Sequence, residues 1–581
     1  MVDPVVNKGK VTVSTGYNST ATSIVLATGQ GAELPDPVVD GEYNLPWWDS
    51  TNYNDPADDP NFEIVRVTGP AGTGDTKTIV RAQEGTAATA KNNADAVYKM
   101  HLGVTAKTIT DLIADVEKAA TVIVGKSGHV DYLTTDYGSD DACIQAAIDY
   151  VDGLGGGSVL IREGTYVISN VVTLQSNIWI YGVGDKTIIQ SNKTGDLFYA
   201  TAETNIHISD MQFDGNSNAS SPVAIYTSTG VKLSDLYIHD VGTGTPDVVY
   251  GCYIEDCTDV ILTNLRIDTV DRDGIQLKGC TNNIISQCIL KSCDYYGIDC
   301  HASATPLYMK NTVISDCVID ACARGIDINA GDNWTIQNCN IRDSTAIGID
   351  IRGTCDHVVV DNVAMYNSTI NHIDSYNATA ITNIVISNCV FDTNSTASKD
   401  GIYLKNVTDG IISNCIVKNS QRHGINTLTP ISIGECICND NTNEGIFIET
   451  DNCYIANNVC ENNDRGIREY TGHNNNTIIN NSTRNNTTGS ILTVGAATIV
   501  RDNIGYNPVG AVGPPSVPAT TVNYTNAYGY PCQVQVYGGT VTEIDIDDIA
   551  TGLTSGIFII PLGGTINITY SAAPSWRWWG L

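Results

Sequence analysis

Four aspartates stand in one recurring context. Asp299, Asp327, Asp350 and Asp374 each follow an isoleucine, in GID, GID, GID and HID. In an extended strand, residues two apart point to one face. If the isoleucine faces inward, the aspartate and the residue two beyond it face outward. The outward pairs are then Gln276 and Lys278, Asp299 and His301, Asp327 and Asn329, Asp350 and Arg352, Asp374 and Tyr376, Tyr403 and Lys405, and Phe447 and Glu449. Tyr296 and Arg324, each just before the glycine of its tract, fall on the same side. The uneven spacing of Tyr296, Asp299 and His301 leaves the glycine as a third outward position, leaving room beside its neighbours, as a local bulge, or in a turn.

Aspartates on stacked neighbouring strands lie ~5 Å apart. Like charges that close resist joint ionisation, so at least one carboxyl holds its proton above the ordinary range. A protonated acid beside an ionised one is what glycoside hydrolysis uses. Adjacent coils match the ~5–5.5 Å separation of retaining enzymes and alternate coils the ~6.5–9.5 Å of inverting ones. Asp299, Asp327 and Asp350 are therefore candidate catalytic acids, and Arg324 and Arg352 are candidate holders of a substrate carboxylate. Asp374, Tyr376 and Tyr403 extend the same face as candidate substrate-binding residues. Their rings suit stacking on a sugar or packing on a neighbouring chain. A purely solvated acidic surface, or a Ca²⁺ site, fits the same ladder; no other cofactor is implied.

A repeat must position these residues. Tracts related to GID begin at residues 251, 274, 297, 325, 348, 372, 401, 424, 445 and 466, in steps of 21 to 29. Second echoes lie between them, among them NTVISDCVI, NWTIQNCNI and NIVISNCVF. Several short strands per repeat, parted by Asn, Gly and Asp turns, predict a parallel β-helix solenoid. One coil cannot bury its own inward residues, whereas stacked coils bury a continuous column. Cys288, Cys317, Cys339, Cys389 and Cys415 share one echo position, where cysteine behaves as a small buried hydrophobe. Of 18 cysteines, 16 lie between Cys252 and Cys460 without zinc-type spacing. Free buried thiols are expected, disulfides being the minority reading.

The 581-residue chain carries a net charge of -33, although only 16% of its residues are charged. That argues against nucleic-acid binding by phosphate neutralisation. The opening MVDPVVNKGK offers no apolar h-region, so no secretion signal is expected, and no apolar run is long enough to insert in a membrane.

The stretch GSDDACIQAAIDYVDGLGGGSVLIREGTYVIS predicts a short helix capped by Ser139 or Asp140, with Ile144, Ala147, Ile148 and Val151 on one face. It resembles the start of pectate-lyase-like right-handed β-helices in viral tailspikes, where a helix covers the open end. Residues 1–103, through EIVRVT and VRAQEGTAA, resemble the virion-proximal modules of phage tail fibres and tailspikes. Ile109, Leu112, Ile113 and Val116 form an apolar stripe, so 104–120 is expected to be a neck helix. The solenoid is expected over 121–505, a Pro-rich linker over 506–521, and a small β-sandwich over 522–581. The last resembles carboxy-terminal modules of phage tail proteins through VYGGTVTEI, TSGIF and PSWRWWGL. Trp576, Trp578 and Trp579 there are expected in core or trimer packing ahead of an exposed sugar surface.

The tract YGIDCH is similar to the YGFDPH signature of mannuronan C5-epimerases, with Tyr296, Gly297, Asp299 and His301 matching. The resemblance implies that Tyr296 and His301 are acid–base partners and that Asp299 neutralises or orients a substrate carboxylate. The family's RHG segment occurs at Arg422-His423-Gly424, several coils away, and its further aspartate is Asn329 here. Taken together, these features imply an all-β viral tailspike or tail-fibre protein that binds and degrades a host cell-surface polysaccharide. A lyase, a C5-epimerase and a non-catalytic adhesin are the alternatives. The tailspike resemblance implies a homotrimer, a virion tail or baseplate protein as partner, and a place in the virion tail after assembly in host cytoplasm.

Overall fold

The computed structural model describes residues 9–14, 16–102, 121–242, 248–303, 308–393 and 399–581. The neck helix expected at 104–120 lies outside them. The chain divides into two units, Met1–Thr121 with Leu154–Gly157, and Val122–Gly153 with Ser158–Leu581.

The first unit holds a six-stranded antiparallel sheet. Its order is Lys10–Val13, Tyr98–His101, Tyr43–Asp49, Glu63–Gly69, Thr76–Gln83, Ser23–Val25. Alternating residues bury Tyr43, Leu45, Trp47, Val65, Val67 and Met100 in one core. The Arg81 guanidinium lies 5.0 Å from the Trp47 ring and is paired with the fully buried Glu63.

In the second unit, parallel strands stack coil on coil as far as Ile499–Arg501. The isoleucines of the repeat pair directly with one another, Ile275, Ile298, Ile326, Ile349, Ile373, Ile402, Ile425, Ile446 and Ile467 forming one unbroken column. Each is fully buried. All eighteen cysteines are buried and unpaired. Several thiols donate to carbonyls two residues back, as from Cys317 to Ser315 at 3.2 Å and from Cys339 to Gln337 at 3.2 Å. The residue before each cysteine of this column turns the corner left-handed. Asp316, Asn338, Asn388 and Asn414 have φ of 55° or 56°, a region that asparagine and aspartate enter more readily than other side-chain-bearing residues.

The helix forms where it was expected, at Asp140–Gly153. Ser139 Oγ accepts the Ala142 N–H at 3.3 Å. Cys143, Ile144, Ala147, Ile148 and Val151 are fully buried against the first coils, where the helix packs on Gly164–Ile168 and Val172–Thr173. An uncovered terminal coil would present an open strand edge; the helix covers this one.

The recurring glycine is not an outward position. A Cβ on Gly297 would lie 2.6 Å from Ile319 Cγ2 and 2.9 Å from the Gly325 carbonyl oxygen. The position therefore faces inward, where the strand bends against the next coil. Gly297 and Ile298 both turn to the core, which puts Tyr296 and Asp299 on one outer face despite their spacing of three.

The carboxy-terminal residues form two four-stranded antiparallel sheets, around Cys532–Tyr537 and Thr540–Ile546. Trp576 and Trp578 are buried between them with Val534, Ile544, Ile560 and Ile568. Within the segment expected as linker, Gly510–Val512 is an edge strand on Ser575–Gly580.

Gly297→Ala is expected to lower stability by ~1–3 kcal/mol, the usual cost of overpacking, read from the denaturant midpoint. Gly153→Ala, in the helix with open space at its Cβ, is the control expected not to lower the midpoint.

Candidate functional site

Register decides what the site contains. Asp299 pairs with Asp327, Asp327 with Asp350 and Asp350 with Asp374, so four coils bring the aspartates side by side on one outer wall. Gln276 precedes them in the column, which continues through Tyr403, Asn426, Phe447 and Arg468. A second column, two residues on, runs Lys278, His301, Asn329 and Arg352.

The aspartates point away from the solenoid core, yet they are not solvated. Asp299, Asp327 and Asp350 are at most 2% exposed and Asp374 is 7% exposed. Longer side chains from adjoining coils roof them. Arg352 grips Asp327 with both donors, Nε to Oδ1 at 2.6 Å and Nη2 to Oδ2 at 2.6 Å. Gln276 Nε2 donates to Asp299 at 2.7 Å, and His301 Nδ1 lies 3.3 Å from the same carboxylate. Asp374 accepts from Asn371 Nδ2 and from the Tyr376 N–H, both at 2.6 Å.

Tyr296 is 1% exposed, and its hydroxyl has no hydrogen-bond partner. The guanidinium carbons of Arg324 and Arg352 each stand 5.4 Å from its ring centroid. Arg324 Nε is also buried without a hydrogen bond, Asp350 Oδ2 standing 3.7 Å off. Buried polar groups are nearly always hydrogen-bonded, so two open donors side by side mark this corner of the wall.

The carboxyls divide by surroundings. Burial pushes the Asp327 carboxyl well above the usual range; the Arg352 fork opposes this, and the charge of Asp299 adds to it. Burial raises Asp350 to about 6, against the pull of Arg352. Burial also raises Asp374. Asp299 is the exception. Burial works against its charge, but His301, Gln276 and Asp327 bond to it and hold it below the ordinary range. For the Tyr296 hydroxyl, burial and the charge of Asp327 strengthen its hold on the proton.

One member escaped assignment from sequence. Asp273, the residue before the preceding glycine, is fully buried, and its Oδ1 accepts the Tyr296 N–H at 3.0 Å. Burial, then the charge of Asp299, raises it to about 7. Its signal was its place, one coil before Tyr296 at the position preceding the glycine.

Tyr376 and Tyr403 stand three and four coils further along, 6.2 Å apart, and line a cavity of about 290 Å³ with Asp374, Asn371, Lys399 and Arg422. Arg422 is itself held by Asp400. His423 Nδ1 lies 2.7 Å from Glu444 Oε2, so the RHG segment forms a separate cluster from the Tyr296 corner. Among the described residues, Asp214, His239 and Asp240 are close enough to share a cation; they lie on another face, away from the ladder.

Residues 176–333 and 324–482 match the family model for the right-handed beta helix region. A mannuronan C5-epimerase of Azotobacter vinelandii, AlgE5, is 26% identical over 263 residues, 41% of this chain and 22% of that protein. A pre-neck appendage protein of Bacillus phage B103 is 24% identical over 265 residues, 39% of this chain and 28% of that protein. The chain thus spans about a quarter of the length of these curated relatives. Among solved structures, a tailspike protein of E. coli bacteriophage HK620 is 13% identical with a TM-score of 0.42, over 75% of this chain and 89% of that one. The AlgE6 A-module, a mannuronan C-5 epimerase from Azotobacter vinelandii, is 16% identical with a TM-score of 0.35, over 65% of this chain and all of that one.

Asp273 binds its proton more tightly folded than unfolded, about 7 against 3.8. Its contribution is therefore fullest below about pH 4 and declines as the pH climbs towards 7. Asp273→Asn keeps an oxygen for the Tyr296 N–H and removes the titration. Its thermal midpoint is expected above the parent's at pH 8, with the gap closing by about pH 4.

Proposed function

Since the chain belongs to the right-handed β-helix family, we propose that its outer wall binds a uronate-bearing cell-surface polysaccharide and moves a proton on one sugar ring. The observation that carries this reading is the pair of open, buried donors, the Tyr296 hydroxyl and Arg324 Nε, beside the Asp299–His301 pair.

The chemistry follows from the groups. The C5 hydrogen of a uronate is α to a carboxylate, so its removal needs a base and a neutralised carboxylate. Arg324, whose Nε makes no hydrogen bond and only a 3.7 Å ion pair with Asp350, supplies the cation for that carboxylate. His301, a quarter exposed at its side chain, is placed to act as the base, and the ionised Asp299 orients its imidazole and stabilises the imidazolium. Tyr296 holds its proton tightly, which suits delivery to a carbanion, a far stronger base. Return of the proton to the opposite face gives an epimer. Loss of the C4 substituent instead gives an unsaturated product. The partial identity to AlgE5 and the YGIDCH tract support this chemistry. Hydrolysis by paired aspartates has less support, because Arg352 occupies both oxygens of Asp327.

The similarity to a phage pre-neck appendage protein supports a place in a virion tail. In that setting the amino-terminal sheet would attach to a tail or baseplate protein, the assembly would be a homotrimer formed in host cytoplasm, and the solenoid would engage the host surface.

Purified protein incubated with mannuronan and other uronate polymers is expected to yield epimerised or unsaturated products, read by proton NMR and mass analysis. Tyr296→Phe and Asp299→Asn should each lower kcat by ~10²–10⁴-fold. Tight binding without chemical change in any polymer would make the protein an adhesin. Undiminished rates in both variants would move the centre elsewhere.

A further inference from the structure

Towards the amino-terminal end of the solenoid, the wall that carries the aspartates turns aromatic. Tyr253 occupies the same column two coils before Asp299, through Gln276. Tyr199 occupies it two coils earlier again, through Ala224. Ala224 leaves a gap beside which stands Tyr226, from the column that leads through Glu255 and Lys278 to His301. The Tyr199 and Tyr226 rings are 5.5 Å apart, tilted by 41°, and those of Tyr226 and Tyr253 are 5.4 Å apart, tilted by 47°.

Tyr250 closes the series, 4.8 Å from Tyr253. Arg272 lies over its ring at 5.2 Å and donates to its hydroxyl at 2.6 Å. The register neighbour of Tyr250 is Asp273, which receives the Tyr296 N–H. Through Asp273, the stair of rings thus leads to the Tyr296 corner. Tyr199, Tyr226 and Tyr250 stay partly exposed, whereas inward aromatics of the same coils, such as Phe198 and Phe213, are fully buried. Core packing accounts for the phenylalanines and for the buried Tyr253, and not for these three tyrosines.

We propose that Tyr199, Tyr226 and Tyr250 are subsites for successive pyranose rings, held by their apolar faces, with the buried Tyr253 packed between Tyr226 and Tyr250. The polymer then lies parallel to the solenoid axis. The proposal rests on the carbohydrate reading of the Tyr296 centre and adds the direction and length of chain that the centre requires. Each coil advances ~4.8 Å, about one sugar ring, so Tyr199, Tyr226 and Tyr250, on three successive coils, each meet a different residue of the polymer. Four coils, ~19 Å, separate Tyr199 from Asp299. A short oligosaccharide seated at the centre does not reach the far platform. With Tyr376 and Tyr403 on the opposite flank, the sugar at the centre is an internal one.

The test uses the full chain with mannuronan and polygalacturonate oligomers of graded length, measuring binding by calorimetry and turnover by NMR. Tyr226→Ala is expected to raise Kd and KM about 3- to 10-fold for oligomers long enough to span the stair. It should leave kcat, and the binding of the shortest oligomers, unchanged. Tyr226→Phe keeps the ring and should retain parental values if the larger truncation harms folding. Tyr366→Ala, at an exposed tyrosine on another wall, should change nothing. Parental affinity of Tyr226→Ala for long oligomers, or an equal loss for all lengths, overturns the stair while the centre stands. Length-dependent binding without any product removes the catalytic reading and leaves the stair. No binding by the parent protein to any oligomer overturns both.

Discussion

In-register stacking is the constraint from which the rest follows. Each coil lays its strand directly on the equivalent strand of the next, so like residues become neighbours across the whole length of the solenoid. For isoleucine this is favourable without further arrangement, because apolar side chains stacked in a column bury one another. For glycine it allows a strand to bend inward against the carbonyl of the coil above. For aspartate the same rule brings like charges together in a place water barely reaches.

The structure answers that electrostatic problem with cations from the next column and with protons. Arg352 neutralises Asp327, His301 and Gln276 hold Asp299 ionised, and Asp273 and Asp350 keep their protons to higher pH than free carboxyls. The result is a wall where one carboxyl held ionised, Asp299, stands among neighbours that keep their protons to higher pH. Separation of that kind is what acid–base chemistry needs, and here it comes from packing geometry.

The parts of this arrangement set by periodicity were legible in the sequence. The inward isoleucines, the buried cysteines, the capping helix and the alignment of Asp299, Asp327, Asp350 and Asp374 all follow from a period and an alternation. What the period does not carry is the reach of long side chains. The burial of the aspartates depends on Arg352 folding back one coil to Asp327, and nothing in GIDIRG specifies that direction. The glycine was misread because its constraint lies in Ile319 and Gly325, residues of later strands. Gly510–Val512 was hidden among prolines, since a three-residue edge strand leaves almost no pattern.

The cysteines carry a consequence of their own. Once the coils have closed, the thiols sit where dissolved oxidants do not arrive, and the finished solenoid is indifferent to the redox state around it. Before closure the same chain bears eighteen nucleophiles, many destined for adjacent rungs and so within reach of one another. Mispairing in oxidising surroundings would lock rungs out of order. In oxidising surroundings, folding would thus be a race between coil closure and sulfur chemistry, and a reducing milieu would decide it in favour of the fold.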